Sequence, residues 1–148
     1  MSGYAAPLNR SSACFTCQSR DGEGNVTCTA GGVAPILVVD DDASTLDLVR
    51  TLLQLQGYAV LTASSGHEAL EIASSCRPSL VVTDLMMPGM DGCSLCAHLR
   101  DDLNWLGPLI MVTAAPRTVP KSCPTALMAK PIDVAAFLQL IRTHAAAS

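Results

Sequence analysis

Four apolar runs along the chain each stop at a charge or a hydroxyl. Ile36-Leu37-Val38-Val39 ends in Asp40-Asp41-Asp42, Leu80-Val81-Val82-Thr83 in Asp84, Leu109-Ile110-Met111-Val112 in Thr113, and Ala126-Leu127-Met128-Ala129 in Lys130. Short runs that are apolar at nearly every position predict strands covered on both faces rather than strands with one wet face. Between these runs the apolar period changes to that of a helix. Leu46, Val49, Leu52, Leu53 and Leu55 predict a helix over Ala43 to Gln56, with Ser44 as its cap and Gly57 where a left-handed C-terminal residue belongs. Tyr58 to Ala63 alternates as a short strand. Ser65-Gly66-His67-Glu68 then opens a second helix with Ala69, Leu70, Ile72 and Ala73 on its apolar face, ending near Arg77-Pro78. The loop Pro88-Gly89-Met90-Asp91-Gly92 leads to a third helix with Leu95, Cys96 and Leu99 inward, and Asp133 caps a last one bearing Val134, Phe137, Leu138 and Ile141.

Buried strands alternating with amphipathic helices predict an α/β fold with a doubly wound parallel sheet. In such sheets the ligand lies beyond the carboxyl ends of the strands. Asp40, Asp41, Asp84, Thr113 and Lys130 all fall at those ends, so the pattern that predicts the fold also predicts where its chemistry gathers. Residues 1–35 are rich in Ser, Gly, Thr and Cys without any sustained period, and read as a flexible leader. The ordered domain is expected over 36–144, followed by a tail at 145–148.

Composition narrows this picture. With 148 residues, 49% of them hydrophobic, the chain suits one well-buried domain. The leader's Asp21 and Glu23 balance Arg10 and Arg20, so the net charge of -4 belongs to the rest of the chain and argues against direct nucleic-acid binding. No apolar run approaches the roughly 18 residues of a membrane span, and the first residues lack a secretory pattern. A cytoplasmic protein is expected. Its seven cysteines are then expected to be thiols. Cys14-Phe-Thr-Cys17 with Cys28 makes an incomplete zinc set, and His67, His98 and His144 are scattered.

Clustered carboxylates cannot all stay ionised without a cation, and hard oxygen donors with room for water suit Mg²⁺. Asp40 and Asp41 are candidate ligands, with Asp84 bridging. Once the cluster is neutralised, the Asp84 carboxylate can attack an electrophilic phosphorus in line and form an aspartyl phosphate. The Thr113 hydroxyl can donate to one phosphoryl oxygen and the Lys130 ammonium can pair with another. Each residue alone also has a structural reading, as a helix cap, a solvated strand end, a β-former or a surface lysine. Their joint order points to function.

In that order the chain resembles the receiver domain of two-component response regulators: ILVVDDD, LVVTDLMMPGMDG, IMVTAA and KPI match its signatures from Ile36 to about His144. The resemblance implies a flavodoxin-like sheet of five parallel strands in order 2-1-3-4-5. It implies Asp84 as phosphoacceptor, Asp40 and Asp41 as the Mg²⁺-binding pair, and Met86 as a backbone-carbonyl ligand. Thr113 would be the hydroxyl switch residue and Lys130 the phosphate contact, with a cis Lys130-Pro131 bond. The implied partners are a sensor histidine kinase or histidine phosphotransfer protein, docking against the first helix at Leu46, Leu48 or Val49, and an unknown downstream protein. The only catalysis implied is of the chain's own phosphorylation and dephosphorylation.

Two departures stand out. The family carries an aromatic residue three positions before its lysine, and here that position is Leu127. Only 16 residues separate Thr113 from Lys130, and Pro116, Pro120 and Pro124 interrupt them, so the helix between the last two strands is expected to be short or irregular. Met86 and Ala115, two positions after Asp84 and Thr113, carry no group to orient a hydrolytic water, which predicts slow self-dephosphorylation. The chain ending at Ser148 suggests a stand-alone receiver. Two rivals remain open: a pseudo-receiver acting as a constitutive interaction module, and a haloacid-dehalogenase-like phosphatase. The latter needs an aspartate where Met86 stands.

Overall fold

Strands apolar on both faces need two covering layers, and the chain supplies one helix after each of its first three strands and another after its last. In a computed structural model, residues 34–114 and 124–146 are described. Among them follow β1 (Ile36–Val39), α1 (Ala43–Leu55), β2 (Val60–Ala63), α2 (Gly66–Cys76), β3 (Leu80–Asp84), α3 (Gly92–Asp101), β4 (Leu109–Thr113), β5 (Ala126–Ala129) and α4 (Val134–Ala146). The sheet order is β2-β1-β3-β4-β5 with every pair parallel, so the expected flavodoxin-like architecture is the one observed. The expected leader and the expected short helix between β4 and β5 fall on residues outside those described.

Successive strand residues point to opposite faces, and the two cores divide accordingly. Ile36, Val38, Leu80 and Val82 meet α1 and α4 through Val49, Leu53, Phe137 and Ile141. Leu37, Val39 and Val81 meet α2 and α3 through Ile72, Ala73, Leu95 and Leu99. Central strands β1, β3 and β4 are buried throughout, whereas edge strand β5 alternates between half-buried and exposed.

Local chemistry adjusts several expected boundaries. The cap of α1 is Asp42 rather than Ser44: its Oδ2 accepts from the Thr45 backbone N–H at 3.3 Å and from the Thr45 hydroxyl at 2.7 Å. Gly57 takes the left-handed conformation at φ +94°, as expected after that helix. β2 begins two residues late because Tyr58 is still turning, its N–H donating to Leu53 O. At α2, Ser65 Oγ accepts from Glu68 N–H while Glu68 Oε1 accepts from Ser64 N–H, a capping box displaced by one residue. Val134 is exposed, since it occupies the first turn of α4 ahead of the buried Phe137 and Ile141.

The cysteines correct a sequence expectation. Cys76 and Cys96 are disulfide-bonded, where thiols were expected; both lie in the buried cluster under α2 and α3, which no spacing in the sequence reveals. Cys93 keeps its thiol, half-buried beside that cluster, and burial together with nearby Asp91 raises its pKa.

At the amino ends of the strands the connections are tied down by backbone acceptors. Trp105 Nε1 donates to Pro78 O at 2.8 Å, and Arg100 donates to Trp105 O and Gly107 O at 2.9 and 2.7 Å while lying over the Trp105 ring. Arg77 Nη1 donates to Leu103 O at 2.8 Å. Gly107 has no room for a side chain: a Cβ there would meet the Trp105 ring at 2.6 Å. No helix among the described residues is long and apolar enough to cross a membrane.

Candidate functional site

The central strands β1 and β3 lie side by side in register, with Val39 opposite Thr83, so the residues that follow them, Asp40 and Asp84, reach the same edge together. Carboxylate oxygens of Asp40, Asp41 and Asp84 lie within 4.8 Å of one another. Asp40 and Asp84 are 4% and 8% exposed, whereas Asp41 faces solvent. Lys130 arrives from the end of β5, its backbone N–H donating to Thr113 O at 2.9 Å. Its Nζ stands 3.3 Å from Asp84 Oδ1 and 3.5 Å from Asp40 Oδ2. The Lys130-Pro131 bond is cis.

Main-chain donors fix the two buried acids. Asp42 N–H donates to Asp40 Oδ1 and Leu85 N–H donates to Asp84 Oδ1, each at 2.9 Å. The loop after β3 folds back so that Gly92 N–H meets Leu85 O at 2.8 Å. Gly92 is obligatory in this turn, because a Cβ would meet Asp84 O at 2.5 Å and Leu85 Cα at 3.1 Å. A small cleft opens here, lined by Asp40, Thr45, Thr83, Asp84 and Lys130 over an apolar floor of Val38, Val49 and Val82.

The electrostatics show what the cluster lacks. Three carboxylates face one ammonium. Burial raises the Asp40 pKa, and the Asp84 charge adds to it despite the opposing Asp42 N–H and Lys130. For Lys130, burial pulls the pKa down, but the Asp40 and Asp84 charges outweigh it and the net shift is upward. Asp42 is held below the ordinary carboxylate range, first by the Thr45 hydroxyl. A hard cation fits this surplus of fixed oxygen donors, two of them buried and one open to water.

The residues singled out in the sequence meet here in part. Asp40, Asp41, Asp84 and Lys130 form one cluster. Thr113 is fully buried at the end of β4 and tied to Lys130 through its carbonyl. Met86 is in the loop after β3 with its side chain 69% exposed, so only its backbone could serve the site. Leu127 pairs in register with Met111 and is 39% exposed. Of the three α1 residues considered for docking, Val49 is core and Leu46 packs against the core, leaving Leu48 at 52% exposure. Sequence reasoning missed Asp42 and Thr83. Asp42 is separated from the other two acids only by its cap geometry, although the Asp42-x-x-Thr45 spacing was a usable signal. Thr83, fully buried with Oγ1 donating to Asp84 O at 2.9 Å, read as one more strand residue.

Comparison with known proteins agrees on the domain. The family model described as the response regulator receiver domain matches residues 36–142. A protein described as "Probable transcriptional regulator ycf27" from Porphyra purpurea is 51% identical over 79 residues, covering 53% of this chain and 32% of that protein. The alkaline phosphatase synthesis transcriptional regulatory protein PhoP of Bacillus subtilis is 44% identical over 79 residues, again 53% of this chain and 32% of that protein. The match thus spans about a third of the length of these relatives. Chemotaxis protein CheY4 of Vibrio cholerae superposes with a TM-score of 0.68 at 29% identity, over 76% of this chain and 99% of that one.

Proposed function

The chain belongs to the response regulator receiver family, and from that premise we propose that it takes a phosphoryl group from a phosphohistidine onto Asp84 and thereby switches a protein contact. The observation that carries this reading is the placement of buried Asp84 within 3.3 Å of Lys130 and beside two further carboxylates. Asp40, Asp41, Asp84 and the Met86 carbonyl would hold Mg²⁺, which when bound offsets the negative charge of the acids and of the incoming phosphoryl oxygens.

The transfer breaks the donor's N–P bond and forms an O–P bond at Asp84, with the imidazole recovering a proton from solvent. Leu85 N–H keeps the Asp84 carboxylate oriented, which lowers the cost of an in-line approach. Lys130, already paired with Asp84, moves its ammonium to a phosphoryl oxygen as the carboxylate loses its charge. Thr113 donates its hydroxyl to another, and its link to Lys130 joins the two responses in one strand pair. The donor is a sensor histidine kinase or a histidine phosphotransfer protein that contacts exposed Leu48 on α1. The chain's catalysis is confined to its own aspartyl phosphate, in the cytoplasm where such donors act.

Incubation with a phosphohistidine donor or acetyl phosphate and Mg²⁺ tests the proposal by mass spectrometry. The expected adduct maps to Asp84 and disappears in Asp84→Asn and in EDTA. An unmodified wild-type chain would make it a pseudo-receiver, and turnover of a free phosphomonoester would revive the phosphatase reading. With Met86 and Ala115 unable to orient water, the adduct should last minutes or longer in Mg²⁺ without a phosphatase; a half-life of seconds would contradict this.

A further inference from the structure

Cys76 is the last residue of α2 and Cys96 lies in the second turn of α3; both are disulfide-bonded. They are 8% and 0% exposed within one apolar cluster, between helices that pack directly on each other. We infer that Cys76 and Cys96 are bonded to each other and form a redox-reversible bolt between α2 and α3, fixing the helix that begins at the Asp84 loop. This inference goes beyond the phosphoacceptor reading and concerns a different set of side chains.

The mechanical link is short. Cys96 is four residues from Gly92, about one helical turn, and Gly92 is hydrogen-bonded to Leu85 O and packed against the Asp84 carbonyl. A cross-link at Cys96 therefore restrains the loop through the first turn of α3. Reduction breaks the S–S bond with two electrons and two protons from a dithiol or two glutathione-type thiols, which leave as their own disulfide. Hydrogen peroxide reverses it, taking two electrons and two protons from the thiols and leaving as two waters. In a reducing compartment a cystine of this kind is transient and sensing rather than permanent. Burial means that exchange must await local opening of α2 from α3, so reduction of the folded chain is slow. Cys93, one turn before Cys96 on α3, is not the partner of either, since it keeps its own thiol.

Peptide mapping of the full chain, alkylated without reduction, tests the bond. After peroxide treatment a linked Cys76–Cys96 peptide is expected, absent after dithiothreitol. Two alkylated thiols after oxidation, or a link from either residue to Cys14, Cys17, Cys28, Cys93 or Cys123, would overturn it. Hydrogen exchange at the Leu85 and Gly92 amides tests the restraint: exchange should be at least about tenfold faster in the reduced chain, and equal rates overturn the bolt. The thermal midpoint should fall by about 10 °C on reduction of wild type and not at all for Cys76→Ser, a substitution at a helix end chosen over the fully buried Cys96. A wild-type midpoint indifferent to reductant, or a Cys76→Ser midpoint that still responds, counts against it. None of these readouts requires phosphorylation, so their failure and that of the phosphoacceptor reading are distinguishable.

Discussion

At the carboxyl ends of β1 and β3, Asp40 and Asp84 are nearly closed off from water while three carboxylates share one ammonium. At the amino ends of the same sheet, Arg77, Arg100 and Trp105 each donate to a main-chain carbonyl, and the Arg100 cation covers an aromatic face. One edge concentrates like charge that folding alone does not require. The other brings in polar groups only where acceptors meet them. The difference teaches where stability and reactivity reside: the site edge holds groups poised against one another, and the anchoring edge supplies the rigidity that keeps them there.

Trp105→Ala should break the comparison most visibly. Removing a buried indole that also satisfies Pro78 O should cost about 3–5 kcal/mol, read as a lower urea midpoint. Phosphorylation of the fraction still folded at low temperature should persist; its loss there would mean the two edges are not separable. Arg100→Ala is next, with about 2 kcal/mol lost from two carbonyl contacts and the stacking over Trp105. Asp40→Asn should act in the opposite sense, stabilising the metal-free chain by about 1 kcal/mol, or about 4 °C in thermal midpoint, while weakening phosphorylation of Asp84. The sign follows from the raised pKa of Asp40. Its contribution is fully present below its ordinary value of 3.8 and is lost as pH rises through the higher folded value. In EDTA, wild type should therefore lose stability with rising pH across that window, and Asp40→Asn should flatten the curve.

Much of the fold was legible because burial on both faces leaves a plain trace in sequence. β3 and β4 appear with their expected bounds, since Val, Ile and Leu at successive positions admit few other readings. The acids and Lys130 were legible as strand ends, where topology does the gathering. Less legible were features that depend on one atom's direction. Asp40, Asp41 and Asp42 are chemically alike, yet one is buried against Lys130, one faces solvent and one caps a helix. The bonded state of Cys76 and Cys96 depends on helix packing, not on spacing along the chain. The Arg100–Trp105 arrangement follows no motif; it arises because the turn after α3 happens to present carbonyls within reach of a guanidinium.

Trp105 is the chain's single tryptophan, and its indole is hydrogen-bonded to Pro78 O, which precedes β3, while Asp84 ends that strand. Five strand residues at about 3.3 Å each put roughly 15 Å between the fluorophore and the acidic cluster. Its emission is consequently a clean optical gauge of global unfolding. Quenching by added metal or phosphoryl donor is not expected, so the protein reports its own integrity in one channel while its chemistry is followed in another.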